Sequence, residues 1–182
     1  MINLTISQHT HESNLSFRIM ASYLRFRERF TKPEKFLHKI GIKEGDVILD
    51  HGCGVGSYAI PAAKIVGSEG MVYALDIHPI AVERTDKRAK KEGLTNVKTI
   101  LSGLENGLPD EHVDVAMLID VFTMIQDMPA LLKEFHRVLK PSGRLIILID
   151  HASPEGCKTT VKQSGLFNLV SQEENLLTYV RI

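Results

Sequence analysis

Val47-Ile48-Leu49-Asp50-His51-Gly52-Cys53-Gly54-Val55-Gly56 is the stretch on which the fold turns. An apolar run ends in an acid, three glycines alternate, and residues 57–66 then read as a helix. A strand, a tight glycine turn and a helix start, in that order, build a site for a nucleotide-like ligand. Glycine lets the backbone approach a ligand and take positive φ without a side-chain clash. A helix start adds unpaired N–H groups and a partial positive charge. Twenty residues past Gly56, a second apolar run ends in Asp76. A carboxylate at the tip of the neighbouring strand can accept both ribose hydroxyls of an adenosine.

Spacing separates the kinds of ligand. The dinucleotide fingerprint is G-x-G-x-x-G, whose third glycine lets the helix pack near a pyrophosphate. This chain has Asp50-x-Gly52-x-Gly54-x-Gly56 instead. That pattern resembles motif I of class I S-adenosylmethionine (SAM)-dependent methyltransferases, where the turn holds a methionine tail. A glycine-rich loop without a ligand is the plainer alternative, and Asp76 at its expected distance weighs against it.

At 182 residues the chain reads as one domain with a sizeable core. Hydrophobic residues make up 43% and charged residues 24%, as in ordinary globular proteins. Lys+Arg and Asp+Glu number 22 each, so no net charge draws the chain to nucleic acid or an anionic membrane. Apolar runs near twenty residues are absent, which argues against a membrane span. The start, Met1-Ile2-Asn3-Leu4-Thr5, lacks the basic and apolar regions of a signal peptide. Cys53 and Cys157 form no CxxC pair and read as reduced thiols, so a cytoplasmic location is expected.

From Val47 onward, strand-like runs (47–50, 71–76, 97–101, 115–120, 145–150) alternate with helix-like segments (57–66, 79–91, 129–140). Alternation of this kind predicts a parallel sheet flanked by helices. Gly67, Gly93 and Pro141-Ser142-Gly143 read as helix stops. Residues 154–164 read as a further helix, and 167–171 and 176–182 as a hairpin around Gln172-Glu173-Glu174-Asn175. The resemblance implies the same ending: a Rossmann-like three-layer α/β sandwich, seven-stranded and mostly parallel, with a C-terminal antiparallel hairpin. It covers residues 44–182. Residues 1–43 read as an N-terminal helical cap. There Leu15, Ile19, Tyr23, Phe26 and Phe30 recur at helical spacing, and Thr31-Lys32-Pro33-Glu34 reads as a capping box. That apolar stripe packs either over the ligand site, with Tyr23 at the acceptor, or on the back of the sheet. The basic residues of the segment read as a solvated face, with an anionic substrate as the sharper alternative.

Parallel sheets bind ligands at the carboxyl ends of their strands. The resemblance places Gly52, Cys53 and Gly54 along the methionine half of SAM, with Gly56 completing the turn. It gives Asp76 the ribose diol and Ile77 one face of the adenine, while Asp50 orders the turn and meets the ligand ammonium directly or through water. Ser102, Gly103, Leu104 and Ile119 sit at the remaining strand tips. Many relatives carry Gly-Asp before Leu-Pro to bind the adenine amino group. Here the segment is Ser102-Gly103-Leu104-Glu105-Asn106-Gly107-Leu108-Pro109, so Ser102, Glu105 or backbone groups take that place.

Asp114-Val115-Ala116-Met117-Leu118 and Glu134-Phe135-His136-Arg137-Val138-Leu139-Lys140-Pro141-Ser142-Gly143 strengthen the resemblance. They look like the ubiquinone/menaquinone-biosynthesis type and similar small-molecule methyltransferases. A small-molecule acceptor is implied, with no nucleic acid, membrane or metal. Methyl transfer from a sulfonium needs alignment more than acid–base work. For a hydroxyl acceptor a base would help, and Asp120 and His151 are the candidates at strand tips, against structural readings for each. His51 reads as a spacing residue in the turn, and the other histidines show no metal-ligand spacing. GxSxG, G-x4-GK[ST], HExxH and Tyr-x-x-x-Lys signals are absent, as is an Asn/Asp-Pro-Pro-aromatic motif after the fourth strand. The rival readings are an NAD(P)-dependent oxidoreductase on a related fold and a SAM-binding module without turnover.

Overall fold

A computed structural model describes residues 32–149 and 153–182. The apolar stripe from Leu15 to Phe30, Thr31, Asp150 and His151 lie outside the described residues. The elements run α1 (Pro33–Lys39), β1 (Val47–His51), α2 (Ala59–Val66), β2 (Met71–Asp76), α3 (Pro79–Lys91), β3 (Val97–Leu101) and β4 (Val113–Ile119). A 3-10 turn (Phe122–Met124), α4 (Met128–Val138), β5 (Leu139–Leu148), α5 (Pro154–Ser164), β6 (Phe167–Glu173) and β7 (Leu176–Arg181) follow. The strand order is β3-β2-β1-β4-β5-β7-β6. Only β7 runs against its neighbours, pairing antiparallel with β5 and β6. The expected seven-stranded Rossmann-like architecture is therefore present.

Side-chain alternation divides the core into two layers. Along β4, Ala116 and Leu118 face α4 and α5 through Leu131, Leu132, Phe135, Cys157 and Val161. Val115, Met117 and Ile119 face α1 and α2 through Leu37, Ala59, Ala62, Ala63 and Val66. Burial on both faces explains the near-continuous apolar strands. Strand order reverses direction beside β1, which puts a crevice at the carboxyl ends of β1 and β4.

Helix starts follow local chemistry in three cases. His78, Asp127 and Ser153 accept from the backbone N–H groups of Ile80, Ala130 and Glu155, and each helix has proline in its first turn. Two expectations are corrected. Lys32, at φ 45 and without a side-chain cap bond, holds the N-cap of α1, so the capping box is not used. The predicted stop at Pro141-Ser142-Gly143 lies within the span of β5. Val113 pairs with Leu139 and Val115 with Arg144, so the residues between bulge out without ending the strand.

Long-range polar ties then lock the layers. Asp114 accepts from the Val47 N–H at 2.9 Å and from Lys140 Nζ at 2.8 Å. Arg144 donates to the Ile40 carbonyl at 2.8 Å. Asn96 donates to the Ala63 and Gly67 carbonyls at 2.8 and 2.7 Å, closing the C-terminal end of α2. Among the described residues, no helix is long and apolar enough to cross a membrane. The same residues hold no group of three or more His, Cys, Asp or Glu that could bind a metal.

Candidate cofactor site

The turn after β1 uses three glycines at positive φ: Gly52 at 81, Gly54 at 56 and Gly56 at 77 degrees. A Cβ at Gly52 would stand 2.9 Å from both methyls of Val121, so glycine lets the tip of β4 close on the turn. A Cβ at Gly56 would meet Thr85 at 3.0 Å and Ile60 at 3.1 Å, so that glycine serves packing against α3.

Following the N–H groups corrects one expectation. Gly52 and Cys53 both donate to the Leu75 carbonyl, at 2.7 and 2.9 Å. Gly54 donates to Asp76 Oδ2 at 2.9 Å, and Gly56 to the Cys53 carbonyl at 2.9 Å. Ala59, the first residue of α2, donates to Asp50. The donors expected to face a ligand are thus spent inside the protein. Carboxylate and carbonyl acceptors remain.

Asp50 is 2% exposed, and its Oδ2 has no hydrogen-bond partner among the described residues. Burial, reinforced by the nearby charge of Asp76, pushes its carboxyl up to about 7, against the pull of the Ala59 N–H. Asp76 is raised as well, mainly by burial, with the N–H groups of His78 (2.8 Å) and Gly54 opposing. Burial and the two carboxylates hold the Cys53 thiol well above its ordinary range, so it stays a neutral thiol. His51 is buried with its ring edge-on to Phe135 at 5.5 Å, and burial lowers it to about 4. Its neutral imidazole packs on the α4 side of β1, in keeping with a spacing role.

A buried and a half-buried carboxylate, beside a turn whose N–H groups at Gly52, Cys53, Gly54 and Gly56 are occupied, suit a cation and match a pyrophosphate poorly. A dinucleotide would need those N–H groups for its phosphates. The unpartnered Asp50 oxygen fits an ammonium, and Asp76 retains acceptor capacity for hydroxyl donors. The donor set fits an adenosyl sulfonium amino acid.

The other expected residues gather along the same edge. Ile77, 72% exposed beyond β2, borders Gly103, where a Cβ would come within 3.0 Å of it. Ser102 donates its N–H to the Asp76 carbonyl, and its Oγ accepts from the Leu104 N–H at 3.3 Å. Glu105 is exposed, while buried Asn106 accepts from the Leu108 N–H at 2.9 Å. Arg137 of α4 tethers this loop through the Leu108 carbonyl (2.8 Å) and Asp110 (2.6 Å). At the tip of β4, buried Ile119 precedes Asp120, which takes φ 59 and donates its N–H to the Leu148 carbonyl. Beyond it, Phe122 and Ile125 are half-buried and Met124 is 68% exposed. Phe36 of α1 and Tyr58, two residues past Gly56, meet edge-to-face at 5.4 Å.

The sequence pattern matches a family model described as a methyltransferase domain over residues 42–178. The chain belongs to this methyltransferase family. S-adenosylmethionine is its cofactor, as the donor set already indicated. A demethylmenaquinone methyltransferase of Geobacillus kaustophilus (strain HTA426) is 32% identical over 130 residues, which are 71% of this chain and 56% of the relative. A sterol 24-C-methyltransferase of Aspergillus fumigatus is 34% identical over 122 residues, 65% of this chain and 32% of the relative. This methyltransferase chain therefore spans about half or less of the length of those curated relatives. A crystal structure of a SAM-dependent methyltransferase from Aquifex aeolicus superposes with a TM-score of 0.73 at 28% identity, covering 88% of this chain and 96% of that one. Thr85 and Val121, which contact the glycine turn, were not singled out from the sequence. The signal for Thr85 is a hydroxyl on the Ala81-Thr85-Ala89 stripe that α3 buries.

Proposed function

We propose that this chain transfers a methyl group from S-adenosylmethionine to a small organic acceptor seated above the tip of β4. The observation that carries the reading is the buried, unpartnered Asp50 oxygen beside a turn whose named donors are already occupied. When bound, the cofactor supplies a methyl group activated on a sulfonium.

Asp50 would hold the ammonium, and the backbone of Gly52, Cys53 and Gly54 would line the methionine tail. Asp76 would accept the ribose hydroxyls with the lone pairs left by Gly54 and His78. Ile77 would lie on one adenine face, with Ser102, Gly103 and Leu104 at its rim, while Ile119 would line the site from the tip of β4. Gly56 serves the same site from below by admitting Thr85. Residues 1–43 would cap the acceptor side; the family match begins only at residue 42.

Catalysis then rests on alignment and exclusion of water. Asp120, which follows the tip of β4 at φ 59, would act as base for a hydroxyl acceptor. His151 is the second candidate base on sequence position. A small, largely apolar acceptor is supported by the character of Val121, Phe122, Met124 and Ile125, and by relatives named for menaquinone and sterol methylation.

Methyl-labelled S-adenosylmethionine offered with panels of phenols, quinols and unsaturated lipids tests the reading. Label should move to a small acceptor, with matching release of S-adenosylhomocysteine. Transfer to RNA or protein with no small-molecule product would contradict it.

A further inference from the structure

Fully buried Thr85 lies on α3, one helix away from the residues assigned to the cofactor. Its Oγ1 donates to the Gly54 carbonyl at 3.1 Å. The same Gly54 donates its N–H to Asp76 Oδ2 at 2.9 Å. One residue thus carries two opposed bonds, a hydroxyl from below and the ribose-side carboxylate from above. Arg88, one turn further along α3, reaches the Val55 carbonyl at 3.4 Å. The Cys53 thiol lies 3.9 Å from the Thr85 oxygen, and Gly56 leaves room for the threonine methyl.

Glycine has the widest choice of backbone states, and Gly54 sits at φ 56. An external contact must select one orientation for its two peptide planes. The Thr85 hydroxyl does this for the plane that bears the Gly54 carbonyl. That contact limits ψ of Gly54, while the neighbouring plane donates its N–H to Asp76 Oδ2, so the two bonds together fix the glycine and hold one carboxylate oxygen against it.

We infer that Thr85 is a positioning residue for the cofactor: its hydroxyl sets the Gly54 peptide, which in turn orients Asp76 for the ribose diol. The inference rests on the cofactor assignment above and adds a residue that touches no part of the ligand. A valine at position 85 keeps the shape and loses the donor, leaving the half-buried Gly54 carbonyl with only the long 3.9 Å contact from the Cys53 thiol. A serine keeps the donor and loses only a methyl.

Calorimetric titration of the full chain with S-adenosylhomocysteine tests it, with circular dichroism as the control for folding. Thr85→Val should weaken binding about tenfold, the size of one net hydrogen bond, while Thr85→Ser stays within about twofold of wild type. Thr85→Ala is the second variant should the valine methyl that replaces the hydroxyl crowd the turn, and it should weaken binding at least as much. Combining Thr85→Val with Asp76→Asn should cost less than the product of the two single losses, because both act on one contact chain. The inference is overturned if folded Thr85→Val and Thr85→Ala bind like wild type, if Thr85→Ser is as weak as valine, or if the double variant loses the full product. A wild-type chain that binds no S-adenosylhomocysteine overturns the cofactor assignment itself, and this inference with it.

Discussion

Replacing Asp50 with asparagine removes a charge that folding buries at a cost. The carboxyl moves from 3.8 to about 7 on folding, chiefly through burial and then through the charge of Asp76. At about 1.36 kcal/mol per unit, that shift corresponds to roughly 4 kcal/mol. The native state holds the proton more tightly than the unfolded chain. Stability from this group is therefore intact below about pH 4 and is lost progressively as the pH rises to about 7. His51 works in the opposite direction. Burial lowers its imidazole to about 4, so its contribution grows as the pH rises towards 6.5. Both proteins keep His51, so the difference between wild type and Asp50→Asn isolates the carboxylate. Urea unfolding between about pH 4.5 and pH 8 should show small differences at the acid end, with the variant ahead by several kcal/mol at the alkaline end. The same variant should bind S-adenosylhomocysteine more weakly by roughly 1.5–3 kcal/mol, the worth of a hydrogen bond to a charged group. Stability curves that run parallel across the range would refute the burial argument. Unchanged affinity would remove Asp50 from the ammonium site.

His51→Leu should gain roughly 3 kcal/mol of stability relative to wild type between pH 6.5 and 4, because no imidazole then takes up a proton on unfolding; the difference between variant and wild type in urea unfolding at the two ends of that window reads it, since the opposing Asp50 contribution is common to both proteins. Gly52→Ala should destabilise by about 1–3 kcal/mol through its positive φ alone and by more through contact with Val121. Adding Val121→Ala should recover the contact part and leave the backbone part, measured as a difference in melting temperature.

The elements that frame the site were legible because their signals are local. Apolar runs ending in Asp50 and Asp76, and glycines at alternate positions, name strands and a turn without knowledge of partners. Strands 71–76 and 97–101 and helices 79–91 and 154–164 agree with the structure to the residue. What failed depends on pairing. Pro141-Ser142-Gly143 has the composition of a stop, and only the register of β5 against β4 turns it into a bulge. The helix start after the glycine turn promised free N–H groups, yet Leu75, Asp76 and Asp50 consume those of Gly52, Cys53, Gly54 and Ala59. A sequence displays donors but not the acceptors that tertiary structure brings to them. Thr85 was overlooked for the same reason: its importance depends on which face of α3 lies beneath Gly54.

The most direct measurement is a calorimetric titration of wild type and Asp76→Ala with S-adenosylmethionine, S-adenosylhomocysteine, NAD and NADP. The account predicts that wild type binds both adenosyl ligands and neither nicotinamide dinucleotide. It also predicts that Asp76→Ala loses roughly 1.5–3 kcal/mol of that affinity, the worth of hydrogen bonds to a charged carboxylate. Binding of a nicotinamide dinucleotide without either adenosyl ligand, or full affinity in Asp76→Ala, would contradict the account.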